Sequence, residues 1–370
     1  MARYWFVALA ALGASLNAAL AGEAAKLSRT IALSQADFKL TPAALAFSRS
    51  GELFAGYREK GPDKSSSAFW IRVFDATSGS PVRSARFQTS PVLLPNGANQ
   101  FVLSPDDSLL IYAQFHQSVL IDSFDPHLLR ELSTATNLPD EVAKHSPRVA
   151  GISPDGGSLV ITSYQPSAKG ALDVRLLNLE AHDLSRVVSD ATVTIPYTES
   201  NYEVGGDGTM WIRRANTLER YEPAHNGPSL KISLPNRDDV RGVAFLKDRS
   251  LLLWSDQNAF GYIYHFQENS SVPDFSQRIG DCGVRNVVTT PDQLYGAAVC
   301  LSQNLGEWRF GSLASSTAVI FEVKTLKILG RVSLDKRLMP EVALWHGAGR
   351  ISIAVQSSSN KVGVYEISDH

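Results

Sequence analysis

The chain has 370 residues, 44% of them hydrophobic and 19% charged, which is the make-up of a globular protein and excludes a disordered one. Its formal net charge of −2 excludes a general electrostatic pull on nucleic acid or an anionic membrane. Length alone allows two or three average domains or one large all-β unit.

The N-terminus, "MARYWFVALAALGASLNAALAGE", has a positive start at Arg3 and an apolar stretch from Tyr4 to about Leu16. Ala19-Leu20-Ala21 then fits the small-x-small rule for cleavage before Gly22. The run is broken by Ser15 and Asn17 and falls short of the ~20 residues that a membrane span needs. Residues 1–21 therefore read as a signal peptide and 22–370 as the exported chain, periplasmic or extracellular. No later segment is long and apolar enough to span a membrane.

From Leu45 onward one phrase returns seven times: "LAFSRSGELFAGY", "FVLSPDDSLLIYA", "AGISPDGGSLVIT", "YEVGGDGTMWIRR", "VAFLKDRSLLLWS", "VVTTPDQLYGAAV" and "ALWHGAGRISIAV". Each has apolar residues, a turn, and a β-rich run. Pro, Asp and Gly suit the turn because they pre-set φ, bond locally to the backbone, or tolerate positive φ. Each phrase is a predicted β-hairpin.

A third strand follows each hairpin and ends in an aromatic-plus-polar pair: Phe74-Asp75, Phe124-Asp125, Tyr221-Glu222, Phe266-Gln267, Phe321-Glu322 and Tyr365-Glu366. The third unit has Leu177-Asn178 there. A short fourth strand comes next, as in "SARF", "KISL" and "GRVSL". The turn positions Ser50, Asp106, Asp155, Asp207, Asp248, Asp292 and Ala348 are 41 to 56 residues apart. Four strands per repeat of this length specify an all-β, seven-bladed propeller. The seventh unit ends after its third strand, so "SRTIALS", Ser28 to Ser34, is expected to complete the last blade and close the ring.

The Ser-Pro-Asp-Gly turns and the aromatic-acidic pairs resemble those of the WD40-like seven-bladed propellers, in the divergent exported bacterial (YVTN-type) form. The resemblance runs from about Ser28 to His370. No Gly-His dipeptide precedes the strands and no pair is Trp-Asp, so the hydrogen-bond network usual in that family is not carried over. Propellers host many unrelated tasks.

In "CGVRNVVTTPDQLYGAAVC" the turn centres near Pro291-Asp292, with Cys282 nine and Cys300 eight residues away. Antiparallel pairing opposes them within about one residue of register, at a separation that a disulfide spans. Export supplies the oxidising compartment. The alternative is two reduced, buried thiols.

Seven residues before the turn positions stand Ala43, Asn99, Arg148, Ser200, Arg241, Arg285 and Glu341. Equivalent positions ring one mouth of the channel, where three guanidinium forks match a carboxylate or phosphate. The competing reading is of solvated arginines at loop–strand junctions, some paired with Glu341 or Glu203. Long insertions open on the same mouth: "REKGPDKSSSAF", "TATNLPDEVAKHSPR", "TIPYTESN" and "LSQNLGEWRFGSLASST". The last carries Trp308, Arg309 and Phe310, suited to stacking a ligand or anchoring a partner, or else folded back on its own blade. Insertions gathered on one face of a repeat protein often mark its binding face.

The eight histidines show no metal-site spacing, and there is no phosphate-binding Gly loop or Gly-x-Ser-x-Gly elbow. No metal and no cofactor is expected. "HSPRVAGISPDGG" is similar to a phrase of propeller lactonases, except that Val149 follows Arg148 where their His stands. These features favour a monomeric, non-catalytic module that binds a protein, peptide or glycan on its loop-rich face. The runner-up is a lactonase-like hydrolase or a lyase with an anionic substrate at the Arg148, Arg241 and Arg285 mouth.

Overall fold

The computed structural model describes residues 23–369, apart from 34–43, 61–66, 89–97, 105, 116–118, 136–137, 140–141, 143–146, 154–155, 168–170, 197–201, 206–207, 215, 222–227, 235–238, 258–259, 303–314, 335–341 and 359–360. The expected signal peptide, residues 1–21, lies outside the described residues. Among the described residues there are 29 strands. No helix among the described residues is long and apolar enough to cross a membrane.

The chain begins with β1 (Glu23–Ala24) and β2 (Lys26–Ala32). Blade one is β3 (Ala44–Phe47), β4 (Glu52–Lys60), β5 (Ser67–Asp75) and β6 (Pro81–Gln88). Blade two is β7 (Ala98–Leu103), β8 (Leu110–Phe115), β9 (Val119–Asp125) and β10 (Arg130–Ala135). Blade three is β11 (Arg148–Ile152), β12 (Ser158–Ser167), β13 (Ala171–Glu180) and β14 (Asp183–Pro196). Blade four is β15 (Tyr202–Val204), β16 (Met210–Arg214), β17 (Thr217–Tyr221) and β18 (Pro228–Ser233). Blade five is β19 (Asp239–Phe245), β20 (Leu251–Gln257), β21 (Phe260–Phe266) and β22 (Phe275–Gly280). Blade six is β23 (Gly283–Thr289), β24 (Tyr295–Ser302), β25 (Ser315–Glu322) and β26 (Ile328–Leu334). Blade seven is β27 (Val342–Gly347), β28 (Arg350–Ser358) and β29 (Lys361–Ser368).

Each blade is an antiparallel meander, and its first strand has a ladder partner on one edge only. The first strands neighbour one another round the axis: β27 beside β3, β3 beside β7, β7 beside β11, β11 beside β15, and β19 beside β23. The recurring phrase is the inner hairpin of a blade. Ser48, Ser104, Ser153 and Thr290 each donate their backbone N–H across the turn, at 2.8–2.9 Å, to Glu52, Leu109, Ser158 and Tyr295. Those residues return their own N–H to the Ser or Thr side-chain oxygen at 2.8–3.2 Å. The turn Asp caps the same loop. Asp106 accepts the Ser104 hydroxyl at 2.6 Å and the Ser108 N–H at 3.1 Å. The Ser104 bond, with those from Ser108, outweighs burial and holds the Asp106 carboxyl down to about 2. The following residue (Gly51, Asp107, Gly156, Gly208, Arg249, Gln293 or Gly349) takes a left-handed φ of 59–87°.

The core is divided into seven apolar clusters, each between two neighbouring blades. Phe54, Ile71 and Val73 of blade one meet Leu110 and Phe124 of blade two, and Ala297 and Ile320 of blade six meet Leu344 and Ile353 of blade seven. A strand alternates its side chains between faces, so the two-sided burial of β13 and β25 makes each blade a filler for both neighbours. The aromatic of the aromatic-polar pair is one such filler: Phe74, Phe124, Phe266 and Phe321 are buried. The acid beside it caps the next turn. Asp75 accepts the Ser78 N–H at 2.6 Å, and Asp125 those of His127 and Leu128 at 2.8 and 2.9 Å.

Two of the sequence pairs need correction. Glu180 pairs with Ser158 as Glu322 pairs with Tyr295, so Leu179-Glu180, not Leu177-Asn178, fills the position in blade three. In blade seven Arg350 pairs with Ser368, which puts Ile367-Ser368 there and Tyr365-Glu366 two residues early. A two-residue slip leaves every side chain on its own face, so the pattern alone does not reveal it.

The ring closes as expected. β2 pairs antiparallel with β29, and blade seven has the order β2-β29-β28-β27. Arg29 ties the seam by bonding Glu366 and the Ala76 carbonyl of blade one. Beyond expectation, β1 adds in parallel to β26, so blade six has five strands and the N-terminal segment bridges blades six and seven. Cys282 and Cys300 form a disulfide with Cα atoms 5.4 Å apart, inside the interface of blades five and six. The pair is two residues out of register rather than the expected one, since Cys300 pairs with Val284; the bulged Arg285 in β23 shortens what would otherwise be an offset of three.

Candidate functional site

The inner strands start at one mouth of the channel and end in the hairpin turns at the other. At the first mouth, Arg148 opens β11 opposite Thr162; its side chain lies outside the described residues. Arg241 and Arg285 occupy equivalent bulges. Val240 pairs with Ser255 and Gly242 with Trp254, leaving Arg241 between them; Val284 and Asn286 flank Arg285 likewise. A bulge withdraws a residue from the ladder and re-aims its side chain. Both arginines are exposed, and β19 lies beside β23. In blade three the bulge falls at Ala150 instead, so Arg148 shares the repeat position of the other two but not their local backbone.

Arg213 of β16 adds a cation that sequence spacing did not single out. Its guanidinium donates to the Arg241 carbonyl and stands 3.3 Å from the Glu203 carboxylate. Burial lowers the Arg213 pKa, Glu203 opposes that shift, and the Arg241 charge adds to it. The arrangement at this mouth thus has two outward guanidinium groups and a third set deeper with a carboxylate beside it. Such groups match carboxylate or phosphate oxygens by paired N–H bonds. Glu341, Trp308 and Arg309, as well as Ala43 and Ser200, lie outside the described residues.

The turn mouth is built differently. Neighbouring turns are stitched together there: the Arg49 N–H of blade one donates to Asp107 Oδ2 of blade two at 2.7 Å, and the Lys247 N–H of blade five to Gln293 Oε1 of blade six at 2.6 Å. Lys247 Nζ also donates to the Pro291 carbonyl at 2.7 Å. Trp345 Nε1 of blade seven donates to the Arg49 carbonyl at 3.0 Å. His346 stands between two carboxylates, Nδ1 at 2.8 Å from Asp292 and Nε2 at 2.9 Å from Asp369, with the Tyr295 ring edge-on at 4.7 Å. Burial pulls the imidazole pKa down, but the two carboxylates outweigh it and the net shift is upward.

Inside this mouth lies a cavity of about 300 Å³ walled by the ends of β3, β7, β23 and β27 and by Asp107 and Lys247. A second cavity of similar size, on the extended part of blade three, is lined by Ser163, Tyr164, Gln165, Asp173, Arg175, Asp190 and Thr192. Arg175 and Asp190 already pair there. Among the described residues no group of three His, Cys, Asp or Glu side chains is placed to hold a metal ion.

No protein-family model matches the chain, and no curated protein is similar to it in sequence. Solved structures are similar in shape. The chain superposes on Raptor from Chaetomium thermophilum with a TM-score of 0.59 at 11% identity, over 95% of this chain and 30% of that one. It superposes on a chain of the mitotic checkpoint complex with a TM-score of 0.56 at 13% identity, over 94% of both. The likeness is one of fold: a seven-bladed β-propeller. The chain thus spans less than a third of Raptor and nearly the whole of the second chain.

Proposed function

We propose that the chain is an exported, non-catalytic binding propeller that takes a protein, peptide or glycan partner at the mouth where the inner strands begin. The observation that carries this reading is the pair of equivalent bulges that turn Arg241 and Arg285 outward on adjacent blades, at the repeat position Arg148 also holds. A bulge sacrifices ladder bonding, and bulges gather where a side chain is re-aimed for use. From the sequence order, the long insertions, including the one with Trp308 and Arg309, are expected at the same mouth. One of the two similar structures is a chain of the mitotic checkpoint complex, which agrees with a partner-binding role. Export accounts for the disulfide between Cys282 and Cys300.

The test is calorimetric titration with citrate, phosphate and sugar acids as probes of the partner's anionic groups. Arg–anion bonds are charge-assisted and worth ~1.5–3 kcal/mol in water-poor settings. Replacing Arg241 or Arg285 with Ala is therefore expected to weaken anion binding about tenfold or more while the melting temperature holds. No binding of any of these at millimolar concentration refutes this use of the mouth. Turnover of a lactone or ester panel that disappears in the Arg148→Ala, Arg241→Ala, Arg285→Ala variant refutes the non-catalytic assignment.

A further inference from the structure

The cavity at the turn mouth has its own chemistry, independent of the arginine mouth. Its described lining includes two ionisable side chains, the Asp107 carboxylate from blade two and the Lys247 ammonium from blade five, placed on well-separated blades. The remaining wall is Leu45, Phe47, Val102, Val288, Val342 and neighbouring positions of four inner strands. Those strands are the first of their sheets, so one edge of each faces the channel with backbone N–H and C=O groups outside the ladder. The wall thus mixes these apolar side chains with the polar ones of Ser104, Thr289, Thr290 and Gln293 and with backbone polar groups.

From this placement we infer that the turn mouth binds a small zwitterion of amino-acid size, its carboxylate on Lys247 and its ammonium on Asp107. Both groups keep capacity for it. Lys247 has three N–H donors, and one is committed to the Pro291 carbonyl. Asp107 Oδ2 accepts the Arg49 N–H, which leaves Oδ1. Burial raises the Asp107 pKa and, although Lys247 is exposed overall, lowers that of Lys247, so desolvation disfavours each charged form. A ligand charge of opposite sign offsets that penalty at each end. About 300 Å³ equals the volume of roughly ten waters, enough for one amino acid or a dipeptide and too little for a folded partner.

The choice of residues supports the assignment. Asp107 sits at φ 59°, a position where blades one, three, four and seven use Gly. An Asp tolerates this conformation less readily than Gly. Its side chain ties blade one to blade two and presents a carboxylate to the channel. Gln293 occupies the equivalent position in blade six, bonds Lys247 and adds no charge, so the described lining carries one cation and one anion, with Arg49 and Asp292 charged nearby.

The experiment titrates the folded chain by calorimetry with glycine, alanine, leucine and Ala-Ala, and with the methyl ester and N-acetyl form of each. The ester removes the ligand's negative charge and the acetyl its positive charge. Free zwitterions are expected to bind at least tenfold more tightly than either derivative. Lys247→Gln should abolish the discrimination against the ester alone, and Asp107→Asn the discrimination against the acetyl form alone. The Asn amide oxygen can still accept the Arg49 N–H, and melting curves verify both folds. Should a variant fail to fold, the derivative series on the parent still decides. No zwitterion binding at millimolar concentration, or equal binding of free and blocked forms, overturns the assignment. Neither result bears on anions at the arginine mouth, whose variants are separate.

Discussion

Closure of the ring by the N-terminal segment makes a prediction that two leucines six residues apart can test. Leu33 is fully buried in the cluster between blades one and seven, among Leu45, Tyr57, Val362 and Val364, whereas Leu27 on β2 is 56% exposed. The Tyr57 hydroxyl donates to the Leu33 carbonyl at 2.7 Å, a bond that alanine keeps, so Leu33→Ala removes side-chain packing alone. Large-to-small changes at buried leucines cost about 2–5 kcal/mol. Unfolding entropy of ~2.1 cal/mol/K per residue gives a chain of 370 residues roughly 0.8 kcal/mol/K. Leu33→Ala is thus expected to lower Tm by about 3–6 °C, while Leu27→Ala, at about 0.5 kcal/mol or less, stays within about 1 °C. Thermal melts followed by circular dichroism, with urea titrations for ΔG, measure both. Equal shifts for the two variants would mean that the segment does not seal the seam between blades one and seven, and the account of closure would be wrong.

Replacing both Cys282 and Cys300 with Ala opens an 18-residue loop, worth about 3 kcal/mol in the chain-entropy model and less to the extent that the hairpin persists without the bond. Guanidinium unfolding should show a lower midpoint, with an equal or steeper slope as the denatured chain expands, and an unchanged midpoint refutes it. Gly51 and Gly208 both have positive φ, at 87° and 79°, but a Cβ on Gly51 would lie 2.7 Å from the Trp345 ring while one on Gly208 meets nothing within 4 Å. Gly208→Ala should therefore carry only the backbone cost of roughly 1–2 kcal/mol, and Gly51→Ala visibly more, with a change in Trp fluorescence as the seam of blades one and seven opens. The pKa of His346 is raised in the folded chain, so its contribution is fully present below the unfolded value and is lost as pH rises through the folded one. The parent should lose more Tm than His346→Gln between pH 6 and pH 9; parallel profiles would show that the imidazolium does not hold Asp292 and Asp369.

Much of the fold was legible because a propeller repeats its own chemistry. The Ser-Pro-Asp-Gly phrase reads as a hairpin from turn preferences alone, and counting its copies yields the blades. The missing fourth strand of the last unit pointed to the N-terminal strand, and β2 occupies that place. The candidate site was less legible. Spacing put Arg148, Arg241 and Arg285 in one class, but a bulge is a property of a strand pair, and it falls at Ala150 rather than Arg148 in blade three. The turn-mouth cavity had one signal in the sequence: Asp107, Arg249 and Gln293 stand where the other turns have Gly. Two of these three bond to the preceding blade.

The sequence by itself determined the strand periodicity, the turn chemistry, the number of blades and the strand left over to close them. All of these are local, set by residues within a single hairpin or by repetition of it. Only the tertiary structure decided what depends on the packing of blades against one another. It placed β1 on the outer edge of blade six, set the disulfide diagonally across a bulged pair, and put His346 between Asp292 and Asp369, 54 and 23 residues away in sequence. It also joined Asp107 and Lys247 across one cavity. A side chain's neighbours across a blade interface depend on register and on the angle between sheets, and a two-residue slip that leaves the alternation intact changes every one of them.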